Sequence, residues 1–370
     1  MIYFDNSAAT PLSEAAKNAI LAETELFANP SSLHRLGFEA EKRLKKAREE
    51  VARSLHVLPE EITFTSGGTE ADNLGILGAA RKMARRGKRI LTSNSEHPAV
   101  EETLRALEKE GFEVVRLSTK GGALDPDEIE EAATPDTVLA AVMHTNNETG
   151  AVYDIPALFR TVKRKNPECL VFCDCVQGYL KSEIDPRRLG ADLLAISSHK
   201  IHGPKGVGAL YCRKGLSIPP VLYGGGQEKG LRSGTENLSG IVAFGAAAAD
   251  GFAHFAERRA GMEAVRQTLL ADLSDVNGIR FNLPEKASCH ILSVQAEGFR
   301  SEMLLHTLSE RDIFVSSGSA CSSHKGKSPV LKNFGLSDKE ADCTVRISLS
   351  FLNTAEEAHE FARVLREILK

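Results

Sequence analysis

The sequence predicts an α/β protein, with a large domain built on a mostly parallel, helix-flanked sheet and a smaller α+β domain. Three observations carry this. Between residues 62 and 197, short apolar runs rich in β-branched residues alternate with helix-length segments, the pattern of strands joined by right-handed crossovers into a sheet buried on both faces. At 370 residues, 42% of them hydrophobic, the chain can bury a sizeable core and exceeds the size at which single cores usually divide. After about residue 250 the strict alternation ends, and the remaining apolar runs read as a separate module.

In chain order, residues 3–11 form a turn-rich lead-in, and Ser13 can cap a helix running to about residue 27. Asn29-Pro30-Ser31-Ser32 breaks it. Residues 39–55 place Leu44, Ala47, Val51 and Leu55 at helical spacing, with Glu41 and Lys45 as an i,i+4 pair. Strands follow at 62–65, 89–92, 113–117, 138–143, 170–174 and 193–197, with helices between them. An alanine-rich helix over 240–256 leads into the second module, where 291–294, 313–316 and 345–350 read as strands. The large domain is therefore expected over 13–250, and the small one from 1–12 together with 251–370.

Composition excludes several classes of function. A net charge of −4 gives no electrostatic footprint for nucleic acid. No apolar run approaches membrane-spanning length, and Met1-Ile2-Tyr3-Phe4-Asp5 has neither the basic nor the apolar region of a signal peptide, so a cytoplasmic protein is expected. Seven cysteines, an odd number, argue for reduced and mostly buried thiols, one of them reactive, rather than a disulfide framework.

The chemistry centres on Ser197-Ser198-His199-Lys200-Ile201-His202-Gly203-Pro204-Lys205-Gly206, directly after a buried strand. A lysine at the rim of an open α/β sheet stands where such folds bind ligands. Partly withdrawn from water, its amine is a nucleophile suited to a Schiff base with pyridoxal phosphate (PLP), with Ser197 and His199 placed to help hold a phosphate. Taken singly, it reads more readily as a solvated loop lysine. Thr65-Ser66-Gly67-Gly68-Thr69-Glu70 joins a strand to a helix whose unpaired N–H groups converge on one point, making either an anion site or a plain tight turn. Walker and Rossmann spacings are absent from it.

Asp174 ends an apolar strand and needs a cationic or donor partner, which a pyridinium nitrogen would supply. Strand alternation puts Asp174 and Phe172 on one face and Val171, Cys173 and Cys175 on the other. The Cys-x-Cys pair, with no second pair or histidine set, reads as two packed thiols before it reads as a metal site. His97 follows another strand, where it could stack on a ring or move protons, although taken alone it reads more readily as a structural cap. Asn146-Asn147-Glu148-Thr149-Gly150 offers amides at a further strand end, and the segments 224–228 and 232–237 are too polar and glycine-rich for a core.

These segments, with Asn29-Pro30-Ser31-Ser32-Leu33-His34 and Ser317-Gly318-Ser319-Ala320-Cys321-Ser322-Ser323, together resemble the cysteine desulfurases, fold-type I PLP enzymes of the class V aminotransferase family. The likeness runs in order along essentially the whole chain. It implies a seven-stranded-type sheet in the large domain. It also implies that Lys200 binds PLP covalently, Asp174 pairs with the ring nitrogen, Gln177 bonds the ring oxygen and His97 stacks on the ring. Gly68, Thr69, Ser197 and His199 would hold the phosphate, with Thr235 arriving from a second subunit of a homodimer. Arg346, helped by Asn147, would bind the carboxylate of L-cysteine as a bidentate fork. Cys321, beside His324 and Lys325, would take the sulfur as a persulfide and pass it to an acceptor protein such as an iron–sulfur scaffold. No metal is implied. The alternatives are a selenocysteine lyase, another class V PLP aminotransferase, or a non-catalytic sulfur carrier; Cys321 speaks against simple transamination, and the Lys200, Asp174 and Arg346 set against a carrier. The chain departs from the family pattern at Cys173 and Cys175, at His202, and at Phe351-Leu352-Asn353.

Overall fold

The computed structural model describes residues 1–25, 27–317 and 328–369. The N-terminal strand β1 (Ile2–Tyr3) leads to helix α1 (Glu14–Glu23), whose first turn is capped by Ser13 Oγ accepting from Ala16 N at 3.2 Å. The helix ends four residues short of the expected limit, because the Thr24 hydroxyl takes the Leu21 carbonyl at 2.7 Å. Helix α2 (Arg35–Ser54) starts four residues early, since His34 Nδ1 accepts from Gly37 N at 3.2 Å and serves as an N-cap.

Seven strands then form the large sheet: β2 (Ile62–Thr65), β3 (Arg89–Ser93), β4 (Glu113–Leu117), β5 (Thr137–Met143), β6 (Leu170–Asp174), β7 (Leu193–Ser197) and β8 (Gly208–Cys212), in the order β2-β8-β7-β6-β5-β3-β4. All six expected strands are present. The block from β7 to β4 is parallel throughout, whereas β8 runs antiparallel to both β7 and β2. Strand β8 had no counterpart in the sequence reading. It returns directly from the lysine turn without a crossover helix, so the strand-and-helix alternation gives no sign of it.

The sheet is buried on both faces by helices. Phe172, Leu193, Ala195 and Leu139 pack with residues of helix α3 (Gly68–Met83) and helix α4 (Pro98–Lys109), while Val171, Cys173, Leu194 and Ile196 pack with α2 and the helix Leu238–Ala253. The division of β6 between faces follows the period-2 expectation. Helix α3 lies tight against β6, and a Cβ built on Gly75 would stand 2.6 Å from Phe172 Cε2. Gly75→Ala would gain up to ~1 kcal/mol of helix propensity, but pushing the buried ring aside costs about 1–3 kcal/mol. A net loss of stability is expected in urea denaturation at an unchanged m-value.

The C-terminal part carries a second sheet in the order β12-β13-β10-β9, from β9 (Ile279–Phe281), β10 (Ile291–Ala296), β12 (Ser316–Ser317) and β13 (Thr344–Ser348), with antiparallel pairings. Its core of Leu292, Val294, Val345, Ile347 and Phe361 also takes in Ile2 and Phe4. The strand expected over 313–316 is two pieces. β11 (Ile313–Phe314) pairs in parallel with β1, and β12 pairs with β13, so the N-terminus claims one half and the arginine strand the other. Among the described residues no single helix is long and apolar enough to cross a membrane.

Candidate active site

The site loops gather at the carboxyl ends of the parallel strands. β7 ends at Ser197 and a single 3-10 turn, Ser198–Lys200, carries the lysine to the rim. Lys200 is half-buried, and its ammonium donates to the carbonyls of Ser7 and, at 2.9 Å, Ala8. Ser7 O also accepts from Gln177 Nε2 at 3.0 Å. The lead-in is therefore a wall of the site, a role its sequence did not disclose. The other amide atom, Gln177 Oε1, is buried without a donor.

Asp174 closes β6 and is only 6% exposed. Its Oδ1 accepts from Val176 N at 2.8 Å. Burial raises its pKa to about 6, opposed by that N–H and by the charge of Lys200. His97 is the N-cap of α4, with Nδ1 accepting from Ala99 N at 3.1 Å, which leaves the neutral ring's proton on Nε2. Burial, then the Lys200 charge, lowers its pKa to about 4. The capping alternative thus describes one edge of the ring, and the other edge remains to act.

Helix α3 begins at Gly68 with no side-chain cap, so the N–H groups of its first turn keep their capacity for an anion. A Cβ built on Gly68 would lie 3.5 Å from Ser197 Cβ, which sets this helix end beside the lysine turn. Ser197 Oγ bonds His199 Nδ1 at 2.8 Å. His199 is held neutral, its pKa lowered to about 4 by burial and then by Lys200. Thr69 is exposed on the same helix end. Thr235, also exposed, lines a small cleft with Thr65, Ser66 and Gly206.

Arg346, on β13, is 5% exposed, and its guanidinium donates to Asn147 O and to Asp5 Oδ1, both at 2.8 Å. The guanidinium is thus engaged from within at both terminal nitrogens, one by Asp5 and the other by the Asn147 carbonyl, and Asp5 is a partner that the sequence does not disclose. Cys321, with His324 and Lys325, lies outside the described residues; the described residues on either side are tied to the site. Ser316 pairs with Arg346 across the sheet, and Ser328 Oγ donates to Glu148 Oε2 at 2.6 Å. Cys173 and Cys175 are fully buried with sulfurs 3.5 Å apart. The two other departures meet each other, His202 packing on Phe351 with ring centroids 4.5 Å apart.

An uncapped helix start, a rim lysine and a buried strand-end carboxylate on one open α/β sheet define an enzyme that carries a phosphorylated, nitrogen-containing aldehyde cofactor. The chain belongs to the class V aminotransferases, whose family model matches residues 2–361. It is 36% identical to cysteine desulfurase IscS 1 of Archaeoglobus fulgidus, over 100% of this chain and 97% of the relative. A solved NifS-like protein superposes with a TM-score of 0.94 at 37% identity, covering 100% of this chain and 99% of that one. A structure described as SspA in complex with cysteine matches with a TM-score of 0.83 at 34% identity, over 95% of this chain and 99% of that one. The cofactor of this family is PLP. The residues present fit it: donors at the uncapped α3 start, a buried strand-end carboxylate whose pKa is raised by burial, and an orphaned Gln177 Oε1 beside the lysine.

Proposed function

We propose that this protein is a PLP-dependent L-cysteine desulfurase, converting L-cysteine and an enzyme thiol to L-alanine and an enzyme persulfide. The observation that carries the reading is the convergence of Lys200, Asp174 and the uncapped start of α3 around one strand-end site, in a chain whose relative is named a cysteine desulfurase. In this reading Lys200 binds PLP covalently and moves the substrate α-proton. Asp174 faces the ring nitrogen, Gln177 the ring oxygen and His97 the ring plane. Gly68, Thr69, Ser197 and His199 hold the phosphate. Bound PLP supplies the electron sink that lets the substrate carbon–sulfur bond break.

Arg346 takes the substrate carboxylate as a bidentate fork by releasing Asp5 from one nitrogen and the Asn147 carbonyl from the other, with Asn147 alongside. The Cys321 thiolate attacks the substrate sulfur; the carbon–sulfur bond breaks, the sulfur stays on the enzyme, and the carbon skeleton leaves as alanine. Domains over 13–250, and over 1–12 with 251–370, are consistent with the separate cores of the two sheets. Exposed Phe27, Leu33 and Tyr223, at 88%, 89% and 81%, support a homodimer, and in such a dimer Thr235 would serve the neighbouring subunit's phosphate. We further propose a cytoplasmic setting and an iron–sulfur scaffold or similar acceptor for the persulfide.

The test is the absorbance spectrum of the purified protein, followed by alanine and sulfide assays on L-cysteine. Lys200→Ala is expected to lose covalent attachment of PLP while keeping its fold, because the half-buried amine bonds loop carbonyls and packs in no core. Colour that borohydride fixes onto the variant would contradict this role for Lys200.

A further inference from the structure

Helix α3 presents Gly68, Asp72 and Gly75 on one face, since they are spaced by one turn each. The two glycines mark what that face touches. A Cβ on Gly68 would stand 2.7 Å from Val176 Cγ2, and one on Gly75 2.6 Å from Phe172 Cε2. Phe172 and Asp174 share one side of β6, and Val176 follows in the turn with its N–H on Asp174 Oδ1; with Gly68 against Val176 and Gly75 against Phe172, Asp72 between them faces Asp174. Asp72 is 1% exposed, and one of its carboxyl oxygens is buried without a donor. Two unprotonated carboxylates have no donor to offer each other; one shared proton would satisfy both and leave a single negative charge.

We propose that Asp72 is a positioning residue for the cofactor, sharing one proton with Asp174 so that the Asp174 carboxylate is held in place beneath the ring nitrogen. The inference rests on the reading that Asp174 meets that nitrogen. The groups facing Asp72 agree with a protonated carboxyl: burial raises its pKa well above the usual range, and Asp174, Glu96 and Cys173 add to the rise. From β7 and β8 the neighbouring side chains of that face, Leu193, Ala195 and Leu210, are apolar and bring no compensating cation.

The test titrates full-length apoprotein with PLP, following absorbance, in wild type, Asp72→Asn, Asp72→Leu and Asp174→Asn. Asparagine keeps a donor for Asp174 and should hold PLP affinity within about threefold, whereas leucine should weaken it roughly tenfold or more. Thermal unfolding of the apoproteins reports whether Asp72 carries the buried proton, and the PLP affinities report whether that proton positions Asp174. A buried acid whose pKa is raised stabilises the fold below its unfolded pKa and loses that contribution as pH rises. Asp72→Asn should therefore gain stability over wild type with rising pH. If the leucine variant does not fold, the asparagine variant decides: its PLP affinity must hold while its stability gains on wild type as pH rises.

Leucine binding PLP as wild type does, asparagine losing as much as leucine, or a stability difference independent of pH would each overturn the proposal. If Asp72→Leu is unaltered while Asp174→Asn is weakened, the positioning role alone falls. Full affinity and an unchanged spectrum in Asp174→Asn would instead overturn the ring-nitrogen reading, and the proposal with it.

Discussion

Cys321→Ser is expected to bind PLP and L-cysteine normally and yet to lose alanine formation by more than about 100-fold, since a hydroxyl is a far poorer nucleophile toward sulfur than a thiolate. Binding should survive because Lys200 and Arg346 are untouched. Wild-type protein mixed briefly with L-cysteine should gain the mass of one sulfur on the peptide containing Cys321. The other thiols make the assignment sharp. Cys173 and Cys175 are fully buried, and burial raises their pKa. Burial likewise lifts Cys169 to about 12 and Cys212 to about 11. Such thiols carry almost no thiolate at neutral pH and should stay unmodified. Selenocysteine cleavage could persist in the variant, because selenium leaves more readily without thiol attack, so L-cysteine must be the substrate. Normal alanine production by Cys321→Ser would remove the persulfide step.

The sequence disclosed the strands of the large sheet because each is a short apolar run bracketed by helical segments, and four of the six spans, 62–65, 113–117, 170–174 and 193–197, match the observed limits. The same logic put Lys200, Asp174, His97 and Thr69 at strand ends, since in a parallel sheet the polar residue after an apolar run falls on the carboxyl rim. What stayed hidden depends on contacts between distant segments. Ser7 offers only its backbone carbonyl to Lys200 and Gln177, and no residue pattern advertises a carbonyl. Asp5 looked like a turn residue until β1 paired beside β11 and set it against Arg346. Asp72 was the most legible of those missed: an acid between two glycines at helical spacing, on a helix that packs on a buried sheet, has to face something polar.

Asp174→Asn is expected to lower turnover by roughly 10²–10³-fold at full PLP occupancy, the scale for removing one preorganised electrostatic contact in a buried site. In the proposed role the carboxylate would keep the ring nitrogen protonated, as electron withdrawal from the substrate would require, whereas an amide could not hold the proton there. The pH dependence of PLP binding gives a second, independent readout. Burial raises the Asp174 pKa to about 6 in the cofactor-free protein, so below that pH the acid is neutral and offers no charge to a pyridinium. Wild-type affinity for PLP should therefore fall as the pH drops through about 6, and the variant should show no such step. Stability carries the opposite sign in the apoprotein. A raised carboxyl pKa stabilises the fold below the ordinary value near 4 and loses that contribution as pH rises through 6. Apo Asp174→Asn should then melt no lower than wild type at pH 8, while gaining less than wild type when PLP is added. A variant that keeps both the step near pH 6 and the full stabilisation by PLP would show that the ring nitrogen finds its partner elsewhere.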